Sequence, residues 1–277
     1  RACDCGGFSE PGAPLQPRFV STVDSGNLAG CLFACAQFCR QRMQELPPEM
    51  RSLPGRLDGL FSRMDFSALY DRREQLFLVG YDAQKGRPTT AHYDLMASEA
   101  RLASFLAVMG GQVPLKHWQR LNRSTALAGG GAALLSWGGT MFEYLMPNLL
   151  LPLTPGTLLG EGCRCAVRAQ MAHQPRRPFG ISESCYYAFD ADMNYQYRAF
   201  GLPSLALTGE TAGQVIAPYA SALALPFFPR SAAGNIMRML RLGWGDGHGL
   251  IEAADYSVGL RPRLVRCQMA HHQGMIL

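Results

Sequence analysis

The sequence predicts an all-α fold in which helices alternate with long connections. Apolar residues recur at helical spacing in several segments, and residues that favour helix ends stand before and after them. Acidic and aromatic residues concentrate in the connections. We therefore expect a helical barrel whose connections converge on one cleft.

The first predicted helix covers residues 27–46. Ser25 or Asn27 is a candidate cap at its start, and Pro47 and Pro48 end it. Its apolar residues fall on consecutive turns: Leu28, Cys31, Leu32, Cys35, Phe38 and Cys39. This spacing indicates one apolar face along the helix.

A second clear helix is predicted over residues 94–109, where Gly110 and Gly111 stop a stripe of apolar residues. Further helices are predicted over residues 114–121, 140–150, 157–172, 214–227, 231–242 and 265–277. The long connections cover residues 77–93, 122–139, 174–211 and 243–264. They are too aromatic to be disordered, so we expect their tips to form a functional site.

Composition limits the class of protein. With 277 residues, 48% of them hydrophobic, the chain can bury a large core in one or two domains. The net charge is +5 and the arginines are scattered singly, which argues against a nucleic-acid partner. Residues 1–17 lack the features of a signal peptide, and we expect an upstream remnant or linker there, followed by a domain of residues 18–277 cut from a longer protein.

Residues 132–153 approach the length of a membrane span, with Glu143 as their only charge. Two prolines, a Gly-Gly pair and the cost of a carboxylate in lipid favour a buried loop and helix instead. We therefore expect no membrane contact from this chain itself.

The nine cysteines do not have the spacing of a zinc site. Cys31, Cys35 and Cys39 would share one helix face as small apolar residues. The odd total disfavours a complete disulfide framework, so we expect reduced, structural cysteines.

Two other motifs could suggest a bound metal or phosphate. The adjacent His271 and His272 point about 100° apart on a helix, which makes them a poor pair of metal ligands. The glycines at 129–131 lack the lysine of a phosphate loop, so a flexible loop is expected. We predict no metal and no organic cofactor.

Acidic residues with glycine, serine or aromatic neighbours are the candidate functional groups. Carboxylates beside aromatic residues are typical of a carbohydrate cleft, where one protonates the leaving group and another acts as nucleophile or base. Any one acid could instead cap a helix or pair with an arginine, as Glu99 could with Arg101. Five such acids together favour the cleft: Asp94, Glu99, Glu143, Glu183 and Glu252.

Glu183 is the strongest candidate for a functional carboxylate. Residues 180–207 read GISESCYYAFDADMNYQYRAFGLPSLAL, so a serine stands on either side of this carboxylate. Four tyrosines follow it closely: Tyr186, Tyr187, Tyr195 and Tyr197. Core packing alone would hardly select this composition, and we expect a carboxylate held on a turn beside a platform for sugar rings.

Eight sequence blocks follow one another in order from residue 18 to the end of the chain. They are RFVSTVDSGNLAG, GYDAQKGRPTTAHYDLMASEARLASFLAV, HWQRLNRS, LLSWGGTMFEYLMPNLLL, the GISES segment quoted above, VIAPYASALAL, GLIEAADYS and MAHHQGM. Together they resemble the glucoamylase-like central domain of cyclic β-1,2-glucan synthases.

This resemblance implies an (α/α)6 toroid of the glucoamylase type, incomplete at both ends of this chain. It implies a parent protein in the bacterial inner membrane, with a glycosyltransferase domain that uses UDP-glucose and a phosphorylase-like domain. The central domain, on the cytoplasmic side, would cyclise linear β-1,2-glucan by anomer-retaining transglycosylation. The implied partner of this chain is β-1,2-linked glucan.

The resemblance also implies residue roles. Glu99, in the SEAR motif, matches the general acid/base, and Glu183, in the GISES motif, matches the nucleophile. The resemblance identifies these two residues as the catalytic pair more firmly than it assigns one role to each. Retention requires the two carboxylates to lie roughly 5 to 5.5 Å apart. Candidate substrate contacts are Asp94, Glu143, Tyr195, Gln196, Tyr197, Tyr219, Glu252, Asp255, Tyr256, His271, His272 and Gln273.

The chain departs from the family pattern at two aromatic positions. Phe179 stands where the family has tryptophan, and Ile251 stands in place of an aromatic residue. The linker at residues 173–178 is also shorter than the resemblance leads us to expect. Two alternative functions stay open at this point: a β-1,2-glucan hydrolase on the same fold, and a catalytically silent glucan-binding segment.

Overall fold

The computed structural model describes residues 18–208 and 214–277, and these divide into two compact units. Of the described residues, 18–122 form the N-terminal unit and those from 123 to 277 form the C-terminal unit. The predicted remnant at residues 1–17 lies outside the described part of the chain. The domain boundary before residue 18 therefore stays a prediction.

The described residues of the N-terminal unit combine helices with short antiparallel strands. The helices are α1 (Thr22–Gln41), α2 (Leu53–Phe61), α3 (Arg101–Met109) and α4 (Leu115–Arg120), with 3-10 turns at Pro48–Met50 and Phe66–Leu69. The strands are β1 (Phe19–Ser21), β2 (Tyr70–Asp71), β3 (Leu76–Leu78), β4 (Gly80–Asp82), β5 (Arg87–Pro88) and β6 (His92–Tyr93). They form two sheets, ordered β1-β4-β5 and β2-β3-β6.

Helix α1 begins earlier and turns a different face to the core than the sequence predicted. Ser21 is its cap, since its hydroxyl accepts a hydrogen bond from the Asp24 backbone N–H at 3.1 Å. The residues that face inward are mostly small: Thr22, Val23, Gly26, Ala29, Gly30, Ala36 and Cys39. A Cβ at Gly26 would lie only 2.5 Å from the Ala103 Cβ of α3, so close helix packing selects small residues here.

The predicted apolar face of α1 is therefore largely exposed, and this expectation is wrong. Leu28 and Phe38 are exposed, and so are the thiols of Cys31 and Cys35. Cys39 is buried, as are Cys163, Cys165 and Cys185 elsewhere in the chain. All seven cysteines in the described residues are free thiols, as predicted.

The C-terminal unit also mixes helices with paired strands. Its described helices are α5 (Met141–Leu145), α6 (Leu158–His173), α7 (Pro218–Leu223), α8 (Pro229–Arg241) and α9 (Ala270–Ile276), with a 3-10 turn at Met146–Leu149. Its strands are β7 (Thr125–Ala128), β8 (Gly131–Leu134), β9 (Ser184–Phe189), β10 (Tyr195–Arg198), β11 (Val215–Ile216), β12 (Gly245–Asp246), β13 (Gly249–Leu250), β14 (Ala253–Asp255) and β15 (Arg263–Val265). The sheets are β7-β8, β9-β10, β12-β13 and the three-stranded β11-β14-β15.

The all-α prediction is confirmed only in part. Helices α6 and α8 lie within two residues of the predicted bounds. Every connection that the sequence predicted as a loop contains paired strands in the described residues. These strands are two to six residues long, and so few residues give little of the alternation by which a strand is recognised.

Residues 132–153 form the end of β8, α5 and the following 3-10 turn. Most of their side chains are buried, which confirms the prediction of a buried loop and helix. Across the described ranges 18–208 and 214–277, no helix combines the length and apolar character that a membrane crossing requires.

Gly129 and Gly130 form the two-residue turn of the β7-β8 hairpin, where the sequence predicted a flexible loop. Their φ angles are 58° and 79°, the pattern of a type I′ turn, which needs positive φ at both positions. The two strands pair from Thr125 with Leu134 to Ala128 with Gly131. A Cβ at Gly129 would also overlap the backbone carbonyl of Cys165 in α6.

Alanine at these two glycines separates backbone strain from steric overlap. We expect Gly130→Ala to lower the free energy of unfolding by about 1–2 kcal/mol, because only the left-handed φ is penalised and nothing lies within 4 Å of the new Cβ. Gly129→Ala should cost about 1–3 kcal/mol more, because α6 must shift. Urea denaturation of both variants measures the difference, and equal losses would contradict the close packing of this turn on α6.

Candidate active site

Glu183 lies immediately before β9, at the end of a backbone segment held by buried side chains. The Gln170 side chain donates to the Ile181 carbonyl at 2.8 Å and accepts from the Ile181 N–H at 2.9 Å. The Ser182 hydroxyl accepts from the Phe142 N–H at 3.0 Å. These contacts place Glu183 in one position relative to α5 and α6.

Tyr219 adds a further anchor to this backbone. Its phenol is buried and donates to the Glu183 carbonyl oxygen at 2.9 Å, and it lies 2.9 Å from the Ser182 hydroxyl. The sequence predicted Tyr219 as a substrate contact. In the structure its hydroxyl contacts the protein backbone, and its role toward a substrate stays a prediction.

The Glu183 carboxyl group is partly buried and close to a second glutamate. Loss of water contact raises its pKa, and the negative charge of Glu143 raises it further, to about 7. Hydrogen bonds from Tyr197 and Thr140 act in the opposite direction. The Tyr197 phenol donates to Glu183 Oε2 at 3.3 Å. Glu183 is therefore a carboxyl group that titrates near neutral pH.

Glu143 is held by the backbone of its own loop. Its carboxylate accepts from the Ser136 hydroxyl at 2.9 Å, from the Gly138 N–H at 3.0 Å and from the Thr140 N–H at 2.9 Å. Thr140 and Glu143 form a reciprocal capping box at the start of α5. Helix capping, the alternative considered for each acid, accounts for these contacts, and a contact of Glu143 with substrate stays a prediction.

Glu252 and His272 form a buried pair beside the start of β9. His272 Nδ1 lies 2.9 Å from both carboxylate oxygens of Glu252, and both side chains are almost fully buried. Glu252 also accepts from the Cys185 N–H at 3.1 Å. The His272 ring stacks on Tyr219 with a centroid distance of 3.8 Å. The pair thus connects α9 to the strand that follows Glu183.

Two more predicted contacts are also engaged within the C-terminal unit. Asp255 accepts from the backbone N–H groups of Tyr187 at 3.1 Å and Ser257 at 2.8 Å. Tyr256 is buried, with the Arg177 guanidinium 4.3 Å from the centre of its ring. Both side chains stabilise the sheet that supports β9.

The β9-β10 hairpin divides the remaining candidates between its two sides. Tyr197 points toward Glu183, and the Tyr195 ring lies 4.8 Å from that of Phe189. Gln196 accepts from the Tyr186 phenol at 2.5 Å and donates to the Phe189 carbonyl at 3.1 Å. Because side chains alternate along a strand, Gln196 faces away from its two tyrosine neighbours.

On α9, Gln273 donates to the Leu250 carbonyl at 2.8 Å, and His271 is exposed. In the described part of the chain, no group of three or more His, Cys, Asp or Glu side chains is arranged to hold a metal ion.

Asp94 and Glu99 belong to the N-terminal unit. Residues 94–100 form turns ahead of α3 rather than the predicted helix, and both side chains are partly exposed. The Asp94 carbonyl accepts from the Asn122 N–H at 2.7 Å. The pairing of Glu99 with Glu183 stays a prediction.

Sequence reasoning missed the hydroxyl groups that contact these glutamates. Thr140 and Ser136 were not among the candidates, although both are buried and contact Glu143. For Thr140 a signal existed, because Thr-x-x-Glu before an apolar run is the signature of a capping box.

Comparison with known proteins connects this chain to glucan-active enzymes. A family model described as "Putative glucoamylase" matches residues 91–277. The cyclic β-(1,2)-glucan synthase NdvB of Rhizobium meliloti (strain 1021) is 37% identical over 274 residues, which cover 92% of this chain and 10% of that protein. The chain thus spans about a tenth of the length of this relative.

Solved structures with a similar fold include two β-1,2-glucanases. The endo-β-1,2-glucanase of Chitinophaga pinensis, in complex with sophorotriose and glucose, matches with a TM-score of 0.66 and 16% identity, over 92% of this chain and 64% of that one. A mutant endo-β-1,2-glucanase of Talaromyces funiculosus, in complex with β-1,2-glucan, matches with a TM-score of 0.76 and 14% identity, over 95% and 59% respectively. At these identities the likeness concerns the fold.

The raised pKa of Glu183 predicts a pH-dependent stability that Glu183→Gln removes. The folded state holds the Glu183 proton more tightly than the unfolded state, so this group destabilises the fold as pH rises from about 4.5 to about 7. We expect the variant to gain stability relative to the parent across this window and to keep a constant difference above it.

Urea denaturation between pH 4 and 8 measures this difference. Glu161→Gln, the same substitution at an exposed position on α6, is the matched control. A constant difference between Glu183→Gln and the parent over the whole range would contradict the raised pKa.

Proposed function

We propose that this chain, which belongs to the glucoamylase-like family, acts on β-1,2-linked glucan as an anomer-retaining transglycosylase. The observation that carries the proposal is Glu183: a carboxyl group with a pKa of about 7, beside a phenol donor, on a rigidly held backbone. Such perturbed carboxyl groups concentrate at catalytic sites. The β-1,2-glucan named for the curated relative and for the glucanases supports the choice of substrate.

In the first proposed step, the Glu183 carboxylate attacks the anomeric carbon of a glucosyl unit. A second carboxyl group protonates the departing oxygen, so the glycosidic bond breaks as an ester bond to Glu183 forms. The sequence resemblance supports Glu99 in this second role.

In the second step, the same second group, now a carboxylate, accepts the proton of an incoming hydroxyl. That hydroxyl attacks the anomeric carbon and releases Glu183 as a carboxylate. If the hydroxyl belongs to the far end of the same glucan, the product is a ring. If it belongs to water, the product is a shorter glucan, and the choice of acceptor is the whole difference between cyclisation and hydrolysis.

The environment of Glu183 controls how much of the nucleophile is ionised. Glu143 favours the protonated form by charge repulsion, whereas the Tyr197 and Thr140 hydroxyl groups favour the carboxylate. We therefore expect the rate of the first step to rise with pH through the neutral range.

The wider architecture follows as part of the same proposal. The helix-rich fold and its likeness to the glucanases support an (α/α)6 toroid. We place the chain in a longer inner-membrane synthase, on the cytoplasmic side, with glycosyltransferase and phosphorylase-like domains. These assignments rest on the sequence resemblance and on the curated relative.

The products made from linear β-1,2-glucan test the reaction. We expect cyclic or lengthened glucans by mass spectrometry, and a loss of about a thousandfold or more in rate for Glu183→Gln and for Glu99→Gln, since catalytic carboxyl groups supply rate factors of this order. Glu161→Gln should keep full activity. Short reducing sugars as the main product would support a hydrolase instead, and glucan binding without turnover would support the silent segment.

Tyr197→Phe tests the role of the phenol at Glu183. Removing the donor should raise the Glu183 pKa and move the acidic limb of the kcat/KM profile to higher pH, by up to about one unit for a hydrogen bond to a charged group. Tyr186→Phe removes a phenol that contacts Gln196 instead and should leave the limb in place. Movement of the basic limb instead would mean that Glu183 is the proton donor, with the two glutamate roles exchanged.

A further inference from the structure

Three aromatic rings on the β9-β10 hairpin form one continuous cluster. The Tyr187 ring lies 5.5 Å from that of Phe189 and 6.0 Å from that of Tyr195, and the Phe189 and Tyr195 rings are 4.8 Å apart. We call these three residues the aromatic platform.

The platform is open to solvent, although its rings are large. Tyr187 and Phe189 are 36% and 37% exposed. Other groups attach the hairpin to the C-terminal unit, since the Cys185 N–H donates to Glu252 and the Tyr187 N–H donates to Asp255. The exposed rings are thus not required to hold the strand, and contiguous exposed apolar surface marks an interaction site.

The platform lies on the same side of the β9-β10 hairpin as the Tyr197 side chain. Tyr195 pairs with Phe189 and Tyr197 pairs with Cys185, and residues paired across two strands share a face. The Tyr197 contact with Glu183 marks the inner end of this face. The register shifts between the two pairs, and Tyr195 stands three residues from Arg198, the partner of Ser184, so the platform lies about 10 Å from the start of β9.

The chemistry of the platform suits a sugar ring. A glucosyl unit has a face of C–H groups that packs on an aromatic ring and a rim of hydroxyl groups that needs polar partners. The Arg263 guanidinium lies over one face of the Tyr187 ring, 5.1 Å from its centre, and supplies hydrogen-bond donors beside the cluster. The nearest acid of the turn, Asp190, is occupied by the backbone N–H groups of Asp192 and Asn194, at 2.9 Å each.

We propose that the aromatic platform is a distal binding subsite, which holds glucosyl units of a β-1,2-glucan beyond the unit that reacts at Glu183. This inference rests on the proposed function, and it adds Tyr187 and Phe189 to the predicted contact Tyr195. A polymer that spans from Glu183 to the platform is held at two points, whereas a short oligosaccharide reaches only the first. The platform therefore selects long substrates.

Chain-length dependence is the direct test. We expect Phe189→Ala and Tyr195→Ala to raise KM for long linear β-1,2-glucan by roughly tenfold, which is the usual cost of removing a stacked aromatic contact. The loss in kcat/KM should be clearly larger for the long glucan than for a short β-1,2-gluco-oligosaccharide, which reaches only the Glu183 end of the hairpin. Phe189→Tyr and Tyr195→Phe keep the rings and should retain affinity for the long glucan.

Phe38→Ala is the matched control, because Phe38 is an exposed phenylalanine on α1 of the N-terminal unit. It should leave KM for both substrates unchanged. Direct titration with long glucan by calorimetry gives the same comparison of affinities even if the chain does not turn the glucan over.

Three results would overturn the inference in distinguishable ways. Unchanged affinity for long glucan in Phe189→Ala and Tyr195→Ala would contradict the platform as a binding subsite without contradicting the proposed function. If these substitutions instead change only the mass of the particle in analytical ultracentrifugation, the platform is a contact between two copies of the chain. Absence of both glucan binding and turnover in the parent chain contradicts the proposed function and the platform with it.

Discussion

The proximity of Glu183 and Glu143 is the constraint on which the candidate active site depends. Two carboxyl groups close together and partly withdrawn from water cannot both ionise easily, so one of them must receive compensation. The loop before α5 gives this compensation to Glu143, through the backbone N–H groups of Gly138 and Thr140 and the Ser136 hydroxyl. Burial, and after it the charge of Glu143, raises the pKa of Glu183 to about 7, against the hydrogen bonds from Tyr197 and Thr140.

A carboxyl group that titrates at neutral pH is useful only if its position is fixed. The backbone around Glu183 is held from several directions: by Phe142 through Ser182, by Gln170 through Ile181, and by the phenol of Tyr219. The buried Glu252 and His272 pair supports this arrangement, since it contacts the strand after Glu183 and stacks on Tyr219. A buried ionisable pair costs desolvation, and the mutual hydrogen bond, together with the Cys185 N–H that Glu252 accepts from, offsets part of that cost.

The hairpin that follows Glu183 connects the proposed catalytic residue to the proposed distal binding subsite. Its inner end is polar, where Tyr197 meets the carboxyl group, and its outer end presents the aromatic platform. One hairpin thus connects the proposed nucleophile with the rings of the proposed distal subsite. In a reaction whose acceptor is the far end of the same polymer, such a connection favours long chains over short ones.

Local spacing, composition and motif order were enough to predict the helix-rich class, helices α6 and α8, the reduced cysteines and the family. The sequence also predicted Glu183 as a functional group from its unusual neighbours. Only the tertiary structure decided which face of α1 is buried, since the close approach of Ala103 requires small residues such as Gly26. It also decided that Glu252 binds the backbone of Cys185, because a hydrogen-bond partner 67 residues away leaves no trace in local pattern. For the same reason, only the fold could bury Glu183 and bring Glu143 beside it, and these two effects together raise the pKa of Glu183.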